Sequence, residues 1–432
     1  MNHTNKPLRG LHTFLILWST QAFSELGSAM TSFALIVWSF ERQGSALVTA
    51  LLSVSSYAPY VVFSIFAGAL SDRWDKKRTM LVCDTVAAAG TAVTLALLCT
   101  GSLQIWHLYL LNALNGLMNT FQQPASDVAV SLLAPKEQYQ RVGGLRSLSN
   151  SLVTILSPVF ASVMFAALGI RAVLVFDLAT FAVAFLTLLL RVRIPRPHAT
   201  GDAAEGVLAS AKSGLRFLRR HRGVLDLILF LAAINLAASM YNAALPAMLL
   251  SRAGGSKTVY ALVNACTGAA NVLGSVLVSL APAPKSRVRA ICNALLFSMA
   301  TENLLLALGR SAPVWCLGAV LGWLCIPVMN ANMDVLLRSH IPVEMQGRVY
   351  AARNALQFFT IPVGYLLGGL LIDRALGPLM AAQTANSPLV RLFGAGGGTG
   401  AAALFLLLAV SGVLICLVFR RDRHLWTLDD KE

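Results

Sequence analysis

One acidic residue stands alone in the first apolar stretch of this chain. Glu25 has no Lys or Arg within ten residues on either side. Trp18, Gln21, Ser28 and Ser32 accompany it at spacings of three and four, so all five side chains share one face of a helix. Amides repeat that pattern in Asn112, Asn115, Asn119 and Gln122. A third polar set is Asn235, Ser239 and Asn242, with Tyr241 and Pro246 beside it, and a fourth is Asn330, Met333 and Asp334. An isolated carboxyl in an apolar environment is disfavoured in its charged form, which suits a group that takes up and releases a proton. Amides in the same setting hydrogen-bond a solute, water or a neighbouring helix. Glu25 is the candidate proton carrier. Glu302, nearer the end of its own apolar run, is the alternative.

The elements that must carry these groups are long apolar helices. The chain is 56% hydrophobic and 12% charged, with a mean hydropathy of +0.68, against about 25% charged residues in soluble domains. A helix needs about 20 apolar residues to cross the hydrocarbon core. Runs of that length fall near 11–40, 46–70, 79–99, 104–126, 143–168, 171–190, 224–250, 259–281, 288–309, 313–337, 347–372 and 400–419. The expected fold class is therefore an all-α polytopic membrane protein with 12 transmembrane helices.

Charge sets the topology. Net charge is +15, but the basic residues are distributed as loops demand, not as a nucleic-acid surface. With the amino terminus in the cytoplasm, only Arg42, Arg171, Arg252, Lys257, Arg310, Arg374 and Arg391 lie in loops on the far side. The positive-inside rule then puts both termini in the cytoplasm, and the expected location is a cell membrane, inner or plasma, of a bacterium. The seven cysteines all fall inside apolar runs without metal-ligand spacing, so neither a metal nor a disulfide framework is expected. Gly255-Ser256-Lys257-Thr258 lacks the spacing of a phosphate-binding loop. No His, Ser or Cys constellation suggests an enzyme, and no cofactor is implied.

The chain divides near its middle. Pro135-x-Glu137-x-x-x-Arg141-Val142-x-x-x-Arg146 recurs as Pro342-x-Glu344-x-x-x-Arg348-Val349-x-x-x-Arg353. Such a parallel repeat implies two six-helix bundles, 1–190 and 224–432. Between them, 191–223 opens on Pro195 and Pro197. It then places Leu208, Ala211, Leu215 and Leu218 at helical spacing among basic residues. This segment is either an amphipathic helix on the membrane surface or a solvated linker with helix content.

Between the second and third runs stands Gly68-Ala-Leu-Ser-Asp72-Arg73-Trp74-Asp75-Lys76-Lys77-Arg78. This knot of charge, followed by Asp84, resembles the loop between helices 2 and 3 of the major facilitator superfamily of secondary transporters. Trp74-Asp75 stand where the superfamily usually has a glycine. That variant resembles the macrolide-efflux branch of the drug:proton antiporters. So do Trp18-Ser-Thr-Gln21-Ala-Phe-Ser24, Gly44-Ser45-Ala46, Ser157-Pro158, Gly347-Arg348-Val349, and Gly368-Gly369 with Asp373-Arg374. The antiporter signature of helix 5 is met by Gly144 and Pro158. It is not met at Val153, Ser157, Ser162 and Val163, where glycine is usual.

The resemblance implies alternating access by a monomer, with the solute path lined by helices 1, 4, 7 and 10. Cavity candidates are then Trp18, Gln21, Asn112, Asn115, Asn119, Asn235, Tyr241, Asn242, Asn330 and Asp334. Gly68, Asp72, Arg73, Asp75, Lys76, Lys77, Asp84, Arg146 and Arg353 are gate candidates, with topology-setting as the simpler role for the bases. Asp373-Arg374 reads as a helix terminus. The expected function is proton-coupled efflux of macrolide-like amphiphiles. Its alternatives are export of a siderophore or other metabolite, and a receptor or partner protein that does not transport. The expected partners are a small molecule, protons and the bilayer, with no nucleic acid.

Overall fold

The computed structural model describes the backbone of residues 6–133, 139–192, 194, 207–252 and 254–429. All regular structure among them is helical. Contacts divide the chain into two compact units. The first is Met1–Trp38 with Ser55–Ala204, and the second is Ser39–Val54 with Glu205–Glu432. The connection between the first two helices thus belongs to the second unit, although it precedes residue 190.

The first unit contains most of α1 (Lys6–Gln43) and α2 (Ala46–Arg73), then α3 (Lys76–Cys99), α4 (Ile105–Leu133), α5 (Tyr139–Leu168) and α6 (Ile170–Leu190). Turns between them are short. Gly44 and Gly169 take φ of +60° and +79°, a left-handed conformation that only glycine enters freely, and each lets an antiparallel neighbour begin at once. An apolar cluster that includes Phe14, Leu17, Met80, Ala125, Ala129, Leu133, Val142 and Leu188 packs α1, α3, α4, α5 and α6 together. Elsewhere, small residues bring backbones together. Gly116 of α4 lies against the Ser56 carbonyl of α2, and Gly27 of α1 against Asp177 and Thr180 of α6.

The second unit holds α7 (Val207–Arg220), α8 (Arg222–Leu249), α9 (Lys257–Leu280), α10 (Arg287–Leu308), α11 (Ala312–Trp323) and α12 (Ile326–His340). It continues with α13 (Val343–Phe358), α14 (Thr360–Leu370), a π-helical turn (Leu371–Leu376), α15 (Gly377–Ala381), α16 (Pro388–Phe393), α17 (Thr399–Arg420) and α18 (Arg423–Trp426). Its core joins α8, α10, α12 and α17 through Leu227, Phe230, Leu295, Leu336 and Cys416. Leu218 of α7 is fully buried in the same cluster. The run 313–337 is not one helix but two, α11 and α12, because Pro327 cannot donate the bond that would continue the ladder. The run 347–372 breaks likewise into α13 and α14 just before Pro362.

Among the described residues ten stretches are long and apolar enough to cross a membrane, and two of them, Ala312–His340 and Ala352–Ala381, are the interrupted helices just described. α1 and α4 reach spanning length, with 38 and 29 residues, but are not among them. These two carry the stripes of amides, hydroxyls and Glu25, which lower their hydropathy. Large apolar side chains face outward along the other helices, such as Leu190, Leu280 and Val418, the surface that lipid covers.

A methyl group at Gly116 would collide with the Ser56 backbone, whereas one at Gly90 would sit 3.8 Å from Leu111 in ordinary contact. Gly116→Val is expected to destabilise the purified protein by about 1–3 kcal/mol. Gly90→Ala should stay within about 0.5 kcal/mol of the parent. Thermal unfolding in detergent reads both.

Candidate functional site

The first unit encloses a polar cavity of about 340 Å³, lined entirely by its own residues. α1 contributes Gln21, Glu25, Ser28 and Ser32, and α4 contributes Asn112, Asn115, Asn119 and Gln122. The two polar faces read from helical spacing therefore meet across one space. α3 adds Asp84, Thr91 and Thr94, and α6 adds Asp177.

Three carboxylates line this cavity, and no Lys or Arg is among the described residues that line it. Glu25 faces the open volume. Asp84 accepts from Gln122 Nε2 at 2.5 Å and from Gln21 Nε2 at 3.5 Å, which places its carboxylate in the wall of the cavity. Asp177 is buried and accepts from Ser28 Oγ at 3.0 Å and Thr91 Oγ1 at 3.2 Å. Sequence reasoning missed Asp177. The available signal was a lone carboxylate in the otherwise uncharged run from Ala172 to Leu190.

A smaller cavity of about 120 Å³ adjoins Glu25 and reaches Arg146, with Trp18, Gln123, Ser149 and Asn150 in its wall. Glu25 therefore has a basic neighbour in space that its sequence surroundings do not reveal. Trp18 donates from Nε1 to the Leu145 carbonyl at 3.2 Å, fixing the edge of this space. Arg146 itself pairs with Asp127 at 2.6 Å, and Gln123 donates to the same carboxylate at 3.3 Å.

The other gate candidates take varied roles. Beyond their backbone, Gly68, Asp72 and Arg73 lie outside the described residues, as do Arg141, Glu344, Gly347 and Arg348. Asp75 caps α3 by accepting from the Arg78 amide at 3.0 Å. Lys76 is buried. Lys77 donates to the Leu189 and Val192 carbonyls at 2.9 and 2.8 Å, complementing the negative end of α6. Arg353 bonds Gln357 Oε1 at 3.0 Å and approaches Met333 Sδ at 3.5 Å.

In the second unit, Asn242, Asn330 and Asp334 are exposed and Asn235 is half-buried. Tyr241 is buried edge-on against Phe405, a core position, and its hydroxyl lies beside Glu302 without a well-formed hydrogen bond. Glu302 is itself buried and accepts from Trp323 Nε1 at 3.0 Å, in space left by Gly322.

Asp373 does more than end a helix. The π-turn presents its carboxylate to the start of α2, where it accepts from Ser45 Oγ at 2.5 Å and from the Ala46 and Leu47 amides at 3.1 and 2.9 Å. Gly369 lies against Leu47 and Ala50 on the same approach. Lys257 pairs with Glu41 at 2.8 Å beside it. These contacts join residues 41–50 to the second unit. Arg252, buried over Trp315, donates to the Leu306, Ala307 and Phe393 carbonyls and so anchors the loop around α16.

Known proteins resemble this chain throughout its length. Macrolide efflux protein A of Streptococcus pyogenes is 25% identical over 368 residues, covering 84% of this chain and 89% of that protein. The enterobactin exporter EntS of Salmonella choleraesuis is 25% identical over 335 residues, covering 75% and 76%. The solved structure of the POT family transporter PepTSo superimposes with a TM-score of 0.69 at 12% identity, covering 98% of this chain and 99% of that one. The family model of the Major Facilitator Superfamily matches residues 17–365. This chain therefore belongs to the Major Facilitator Superfamily, as a multi-pass membrane transporter of a small-molecule substrate and not an enzyme.

Proposed function

We propose that the protein exports macrolide-like amphiphiles in exchange for protons by alternating access. The observation that carries this reading is the cavity of the first unit, where Glu25 and two further carboxylates face amides and no Lys or Arg is among the described residues that line it, Arg146 standing in the adjoining space. Carboxylates within reach of water in an apolar surround can exchange protons, and the amides give a bulky solute hydrogen bonds. The charge of the cavity suits a macrolide with a basic amine, such as erythromycin. It suits an acidic siderophore less well, although the likeness to an enterobactin exporter keeps that second reading in view.

In this scheme Glu25 carries the proton and surrenders it as the solute enters. The bundles are 1–190 and 224–432, joined by 191–223, and the protein works as a monomer with both termini in the cytoplasm. Asp72, Arg73, Lys76, Lys77, Arg146 and Arg353 bias closure at the cytoplasmic ends. Asp373 performs the matching task at the opposite ends. Its three bonds to the start of α2 would have to break for that end to open.

Everted vesicles with an acidic interior test the coupling. The wild type should accumulate labelled erythromycin, and an uncoupler should erase the gradient. Glu25→Gln should retain exchange of labelled for unlabelled drug while losing uphill accumulation. Uncoupler-sensitive accumulation in that variant would remove Glu25 from the mechanism, and no accumulation by the wild type would remove macrolides.

Asp373→Ala removes a helix cap worth about 0.5–2 kcal/mol, a shift of about two- to thirtyfold in favour of the open end. A cysteine placed at the buried Ala50, in a background without other cysteines, should react faster with an impermeant maleimide by a factor in that range. Unchanged labelling would show that the contact is not a latch.

A further inference from the structure

Asp177 is surrounded differently from the other carboxylates of the first unit, and the difference indicates what it holds. Asp84 is met by two amide N–H groups, donors that repel a cation. Asp177 is met only by hydroxyls. Ser28 Oγ from α1 bonds one carboxylate oxygen at 3.0 Å, and Thr91 Oγ1 from α3 bonds the other at 3.2 Å. Thr31, one turn beyond Ser28, is 7% exposed, and its Oγ1 stands beside the same carboxylate without a well-formed hydrogen bond. A buried hydroxyl left without a well-formed bond ordinarily costs free energy, so its retention points to a ligand.

We propose that Asp177, with the hydroxyls of Ser28, Thr31 and Thr91, forms a binding site for a sodium ion. Two carboxylate oxygens and three hydroxyl oxygens make an all-oxygen set, which suits a hard cation. One carboxylate balances one positive charge, which favours a monovalent ion. Each hydroxyl can donate its proton to Asp177 or to the cavity while its lone pairs face the ion. All four side chains open on the 340 Å³ cavity, which supplies a path for entry and room for water to complete the coordination. The ion would tie α1, α3 and α6 together, where Gly27 already brings α1 against the backbone of Asp177. This site holds whatever compound the protein carries and whichever ion drives it.

The test is thermal unfolding of the purified full chain in NaCl against KCl at equal ionic strength, with ²²Na⁺ binding measured alongside. At concentrations well above its dissociation constant, sodium should raise the melting temperature by about 2–4 °C over potassium. Thr31→Val keeps the shape of the side chain and removes only a hydroxyl that makes no well-formed bond within the protein. It should weaken ²²Na⁺ binding by about tenfold or more, and Asp177→Asn should abolish it. Thr31→Val carries the test if the Asp177 variant fails to fold. Equal melting in both salts with no bound ²²Na⁺ would overturn the site, as would binding that survives Thr31→Val unchanged.

Discussion

A polar side chain inside the hydrocarbon of a membrane must find water, a proton or a partner, and the interior of this protein is arranged around that requirement. Lipid offers no hydrogen bonds, so the amides and carboxylates of α1 and α4 can only turn inward. Turned inward, they repel close packing and hold open a wet space between helices that would otherwise interlock. The cavity of the first unit is thus a consequence of where its polar residues had to go. Its chemistry follows from the same cause, because three carboxylates gathered around one space, with Arg146 only in the adjoining one, can settle their charge with a proton, a metal cation or a cationic solute.

The helices around that space are held by two kinds of contact that act at short range. Glycines allow backbones to touch, as at Gly27, Gly116 and Gly369, and shape rather than hydrophobicity gives these contacts their strength in lipid. Charged groups work at helix ends, where unpaired backbone amides and carbonyls sit. Lys77 answers the carbonyl end of α6, Arg252 that of α10, and Asp373 the amide end of α2. Each cap is worth only about 0.5–2 kcal/mol, so it fixes a helix end without welding it.

What could be read from the sequence depended on how local the determining interactions are. Periodicity within one helix placed Gln21, Glu25, Asn112, Asn115 and Asn119 on shared faces, and those faces line one cavity. Periodicity does not say what a face meets. Tyr241 shares its helix with Asn235 and Asn242 but packs into the core against Phe405. Asp177 makes its bonds with residues 149 and 86 positions away, and no pattern in its own apolar helix marks them. Asp373 reads as a terminus because the helix start that it caps lies more than 300 residues earlier. The breaks before Pro327 and Pro362 were visible in composition, yet hydropathy averages over them. The all-helical membrane fold survives such averaging because it rests on whole segments rather than on single contacts.

The central claim is that solute and proton compete at Glu25 within the cavity of the first unit. The most direct measurement is the proton balance of binding itself, with erythromycin added to purified protein in weak buffer and the pH followed with an indicator. The account predicts release of up to about one proton per molecule bound, as linkage between two exclusive ligands requires, and none from Glu25→Gln. Binding that releases no proton at any pH where the protein stays folded would contradict it.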